Sequence, residues 1–127
     1  MKKFVLALLF GSTAFAMAGK YEPVYTGTVT IGGDHTMAKI ETAIKKALVN
    51  RGWGIVSGER GNIKAKIILR GHTAVIDIQF DKKKVTFNYV SSMELGYREK
   101  GGQKLIHRNY NRWILNLERD VQVFLLE

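Results

Sequence analysis

Between Asn62 and Ser91 apolar positions alternate with polar ones in three successive runs. In the first, Ile63, Ala65, Ile67 and Leu69 share a side, with Lys64, Lys66 and Arg70 opposite. In the second, Ala74, Ile76, Ile78 and Phe80 face one way, and Thr73, Asp77, Gln79 and Asp81 the other. In the third, Val85, Phe87 and Tyr89 oppose Lys84, Thr86 and Asn88. Side chains in a strand repeat every two residues, so the pattern predicts an antiparallel meander with one dry and one wet face. Gly71 separates the first two strands, and Asp81-Lys82-Lys83 joins the second to the third.

Two other stretches follow a helical period. From about Thr36 to Arg51, the residues Met37, Ile40, Ile44, Ala47 and Leu48 recur at spacings of three and four. Asp34 or Thr36 can cap this helix, and Gly52 suits its left-handed end. From near Asn109, a candidate cap, to about Leu125, a second stripe joins Tyr110, Trp113, Ile114, Leu117, Val121, Phe124 and Leu125. Shorter signals fill the rest. Val24 to Ile31 reads as a strand after Pro23, and Trp53-Gly54-Ile55-Val56 as another, turned into the meander at Glu59-Arg60-Gly61-Asn62. Ser92 to Ile106 is the least regular part. Met93, Leu95 and Tyr97 alternate there, and Glu99-Lys100-Gly101-Gly102 is a turn before Lys104-Leu105-Ile106 leads back. The expected fold is α+β: an antiparallel meander sheet of four to five strands with two helices packed on one face, in the order β-α-β-β-β-β-α.

Residues 1–18 change the picture of where this domain acts. Lys2 and Lys3 precede the apolar run Phe4 to Phe10, and Ala16-Met17-Ala18 has small residues where signal peptidase needs them. A secretory signal peptide cleaved before Gly19 is expected, with Ala14-Phe15-Ala16 as a second possible site. The run is too short for a permanent membrane span. Cleavage removes two lysines, leaves 109 residues as a single domain, and lowers the formal charge from +9 to +7. There is no cysteine, so disulfides, thiolate metal sites and a lipoprotein anchor are excluded. The scattered positive charge reads as a solubilising surface or as affinity for an anionic partner. Export places cytoplasmic nucleic acid out of reach.

Candidate chemistry is sparse. His35, His72 and His107 lack the HxH or HxxxH spacing that nucleates a zinc site. Asp77 and Asp81 lie on the wet side beside Gln79 and Lys82, as solvated surface does. Gly32-Gly33 precedes a helix without the spacing of a phosphate loop, and no serine has a GxSxG context. No metal or cofactor is implied. The densest polar and aromatic cluster is Ile106 to Trp113. With the irregular segment it supplies the candidate binding residues Tyr97, His107, Arg108, Asn111 and Arg112: arginines for anions, aromatic rings for stacking, asparagine for hydrogen bonds. The same run also reads structurally, with Asn109 capping, Tyr110 and Trp113 in the core, and both arginines exposed.

The run IHRNYNRWILNLERDVQ, together with the RGW helix end and the strand HTAVIDIQF, resembles a group of small secreted, periplasmic proteins of Gram-negative bacteria that has no established activity. The resemblance covers roughly Thr36 to Leu125. It implies export and one domain, and brings no catalytic residues with it. The order of elements is also similar to small domains of envelope-assembly accessory proteins, a likeness of fold alone. The expected function is therefore a non-catalytic periplasmic domain that binds an envelope protein, an anionic lipid or a polysaccharide. The alternative is a small enzyme with its site between Ser92–Ile106 and the last helix, using His107 with Arg108 or Tyr97.

Overall fold

The computed structural model describes residues 19–127, so the expected signal peptide lies outside the described residues. The three alternating runs form strands β4 (Asn62–Leu69), β5 (His72–Phe80) and β6 (Lys84–Met93). They pair antiparallel and are flanked by β2 (Gly27–Thr30) and β3 (Gly54–Glu59), giving the order β2-β6-β5-β4-β3. Helices α1 (Met37–Asn50) and α2 (Arg108–Leu125) cover one face of this sheet, as the expected α+β architecture requires. Ile63, Ala65, Ile67, Ala74, Ile76, Ile78, Val85 and Phe87 form the dry face and are buried against Ile40, Ile44, Leu48, Ile114, Leu117 and Val121.

Local chemistry sets each boundary. Thr36 caps α1, its hydroxyl accepting from the Lys39 N–H at 3.1 Å. At the other end Gly52 adopts φ +84, its N–H bonding to the Val49 carbonyl and the Trp53 N–H to the Leu48 carbonyl. This pair of bonds is the Schellman ending, which drives Trp53 back onto the helix it follows. The β4–β5 turn holds only Arg70 and Gly71, both left-handed, as a tight hairpin that continues the strands' twist demands. Arg70 thus sits in a turn and not on the wet face of a strand. Asp81 also leaves the sheet: its Oδ1 accepts from the Lys83 and Lys84 N–H groups and shapes the β5–β6 turn. Leu69 keeps its dry-side parity but is 42% exposed, because β4 runs on to the margin of the helical cover.

The irregular segment is more ordered than its sequence pattern suggests. β6 extends through Ser92 to Met93, with a bulge at Val90 opposite the Val75–Ile76 step. Beyond it, β7 (Arg98–Lys100) and β8 (Gln103–His107) form a hairpin. β8 then pairs with β1 (Tyr21–Pro23), making a second sheet of order β1-β8-β7. The strand expected after Pro23 is β2, shorter than the expected stretch, and β1 is a further strand ahead of it in the other sheet. They are divided at Val24–Thr26, where contacts from α2 hold the chain.

Candidate functional site

The candidate residues gather around the passage from β8 into α2, which occurs without a loop. His107 is extended and its Nδ1 accepts the Asn109 N–H at 3.0 Å, so His107 is the cap. The expected cap, Asn109, lies inside the first turn, where its own N–H needs an acceptor. The His107 N–H donates to the Leu95 carbonyl at 2.8 Å, and the Arg108 N–H to the Lys20 carbonyl at 2.6 Å. The imidazole stands edge-on to Tyr21 at 5.8 Å, and the Arg98 guanidinium lies 4.3 Å from the centre of that tyrosine ring. Gly96, at φ +65, lets Tyr21 approach: a Cβ there would sit 2.5 Å from the ring. Burial, then Arg108, His72 and Lys20, hold His107 below the usual histidine range against a small opposing pull from Glu22. The neutral ring matches its role, since a protonated Nδ1 cannot accept.

Asn111 points inward. Its Oδ1 accepts the Tyr25 N–H at 2.9 Å, and its Nδ2 donates to Glu22 Oε1 at 3.0 Å and to the Pro23 carbonyl at 2.9 Å. Two turns on, Glu118 Oε2 accepts from the Tyr25 hydroxyl at 2.6 Å and the Thr28 N–H at 2.7 Å. The hydrogen bond to Glu118, with burial and the carboxylate's charge, pushes Tyr25 up to about 12. α2 thus fixes the connection between the two sheets with two polar side chains. Gly27 permits this closeness, because a Cβ there would meet Glu118 Oε2 and Ile114 Cγ2 at 2.6 Å each.

Tyr97 stacks on Tyr89, with centroids 4.5 Å apart, and Tyr89 stands edge-on to the wholly buried Tyr110. The Tyr89 and Ser92 hydroxyls bond at 2.7 Å, whereas the Tyr110 hydroxyl has no partner among the described residues. Burial pushes both phenols upward. Arg108 and Arg112 are exposed one turn apart. The structure therefore brings His107 and Arg108 side by side with Arg112 nearby, turns Asn111 into a clamp, and places Tyr97 in a separate aromatic stack. No hydrogen bond joins any two of these five among the described residues. No group of three or more His, Asp or Glu side chains among the described residues could hold a metal ion.

A second cluster escaped the sequence reading. Asp120, buried on α2, accepts from Arg51 Nε at 2.7 Å, Arg51 Nη2 at 2.9 Å and Asn50 Nδ2 at 3.0 Å. The bonds from Arg51 hold its carboxyl below the usual range. Lys46 meets Glu127 and Phe124 further along, so the helices run antiparallel here. Beside this latch Trp53 stands edge-on to Trp113 at 6.5 Å. The two indoles, with Arg51, Ile67, Leu69 and Asn116, wall a cavity of about 200 Å³. Trp53 Nε1 is buried with no acceptor among the described residues. The Gly52 ending signals where Trp53 points, but nothing in the spacing of the chain signals that Trp113 meets it.

No helix among the described residues is long and apolar enough to cross a membrane. A scan of protein-family models finds none that matches the chain, and a search of curated proteins likewise finds no match.

Proposed function

We propose that the chain is an exported periplasmic module, without catalytic activity, that binds a component of the cell envelope, either a protein or an anionic glycolipid. The observation that carries this reading is the uncovered face of the five-stranded sheet. Lys64 and Lys66 project there, with Asp77 and Gln79 beside them. At the Arg70 end Ile68 and Met93 flank Thr73 in one cross-strand row and are 69% and 66% exposed. A sheet face that mixes lysines with large exposed apolar side chains suits a macromolecular partner. The start of α2 supports the same reading, because His107 and Asn111 are engaged in capping and clamping. The enzyme alternative asks His107 to move protons, yet its Nδ1 lone pair is occupied by Asn109 and no carboxylate bonds to its ring among the described residues.

The test is retention of periplasmic and outer-membrane extracts on the tagged exported chain at low and high salt. Saturable retention is expected. Its survival in high salt identifies a packed protein interface, and its loss identifies charge-driven binding to anionic lipid or polysaccharide. No retention of either extract at low salt overturns the reading.

A further inference from the structure

We infer that Tyr89 and Tyr97 form an oxidative cross-linking site, at which a one-electron oxidant joins the two rings into a biphenol. The rings stack nearly parallel, with centroids 4.5 Å apart and planes 16° from one another. The unpaired electron of a phenoxyl radical resides largely on the carbons beside the hydroxyl-bearing one. Stacking therefore holds the coupling positions of each ring against the other. Both side chains are only partly buried, so an oxidant in solution reaches them. Tyr110 does not compete, because it meets Tyr89 edge-on at 5.5 Å and is wholly buried. In a chain without cysteine, oxidation has no thiols to join, and this stack is where it can close a covalent ring.

The backbone builds the stack. Glu94 and Gly96 both take left-handed angles, φ 63 and 65, and turn the chain after β6 so that Tyr97 lies against Tyr89. Glu94 carries a Cβ, so that conformation must be imposed from outside. The His72 Nδ1–H donates to the Glu94 carbonyl at 2.6 Å, Leu95 is buried, and its carbonyl accepts the His107 N–H at 2.8 Å. Groups held in contact react as if at very high local concentration, so coupling within the chain outruns coupling between chains. The Tyr89 hydroxyl lies 2.7 Å from that of Ser92, which gives its proton a route out as the electron leaves. Each phenol gives up one electron and one proton. One carbon–carbon bond then forms between the rings, and each joined carbon passes its hydrogen back to the phenolic oxygen. Two electrons go to the oxidant and two protons to solvent. The product ties the end of β6 to the segment that leads into the second sheet.

The chain from Gly19 to Glu127 is illuminated at low concentration with a ruthenium tris-bipyridyl sensitiser and persulfate, which takes both electrons and leaves as two sulfates. A monomeric product with the blue emission of a biphenol is expected. Trypsin releases both tyrosines on one fragment, Val85–Arg98, which is expected to have lost two hydrogens, with or without oxygen added at the exposed Met93. Cleavage after Glu94 is expected to leave its halves joined. Tyr97→Phe, which keeps the ring, is expected to abolish the product, and Tyr89→Phe to do the same. Tyr21→Phe, which removes the most exposed of the chain's tyrosines outside the stack, is expected to leave it unchanged. In urea the yield at this pair is expected to fall at least about tenfold, since the fold supplies the proximity. A link found only between chains, or joining other tyrosines, overturns the inference. So does a product that survives Tyr97→Phe, or an equal yield in urea.

Discussion

His107 shows how one residue can look catalytic and act structurally. Its neutral ring caps α2, so its contribution to stability depends on pH. The folded value lies below the ordinary one of about 6.5, which means the unfolded chain binds the proton more readily. The cap's contribution is complete above about 6.5 and is lost as pH falls from there through the folded value. Asp120 follows at lower pH. Arg51 holds its carboxyl below 3.8, so its contribution persists above that value and is lost as pH falls through the folded one. Melting temperature against pH is therefore expected to fall in two separate windows. His107→Ser retains a capping oxygen and is expected to remove only the upper window, whereas His107→Ala costs about 0.5–2 kcal/mol at neutral pH. An upper window that survives His107→Ser would assign it to another group. Tyr110 offers a complementary case. Its hydroxyl is buried without a partner among the described residues, so Tyr110→Phe is expected to leave the melting temperature unchanged or raise it. A loss of 1 kcal/mol or more, roughly, would mean the hydroxyl is bonded.

At the scale of elements, the join between the two sheets depends on α2. Asn111→Ala removes three hydrogen bonds and strands the Tyr25 N–H and the Pro23 carbonyl, at a cost of about 2–4 kcal/mol. Hydrogen exchange should then quicken at β1 and β8 before it quickens in β4 and β5. Uniform quickening would contradict a local clamp. Gly27→Ala tests the same contact sterically and is expected to cost about 1–3 kcal/mol, since Ile114 and Glu118 must give way. What the sequence made legible was set by distance along the chain. Alternation at period two located β4, β5 and β6, and the 3.6-residue stripes located both helices, because each pattern is local. β1 was not legible as a partner of β8: Tyr21–Pro23 is three residues long, has no alternation to display, and pairs with residues more than eighty positions away. The cap went to Asn109 because asparagine is the commoner capping residue, although the backbone turns at His107. Of the candidate site, exposure of Arg108 and Arg112 was legible. The inward clamp of Asn111 and the Trp53–Trp113 cavity were not, since both depend on where two distant elements meet.

At the scale of the molecule, the helices protect one face of a sheet and leave the other to solvent, with β3 open along its edge. The formal charge favours encounter with anionic surfaces, while the exposed Ile68 and Met93 favour a contact that excludes water. These two contributions respond oppositely to salt, so salt dependence tells which one holds the partner. The most direct measurement is retention of periplasmic and outer-membrane extracts on the tagged chain from Gly19 to Glu127 across a salt series. The account predicts saturable retention at low salt, whose response to high salt tells a packed protein interface from charge-driven binding. Absence of retention from both extracts at low salt would contradict it.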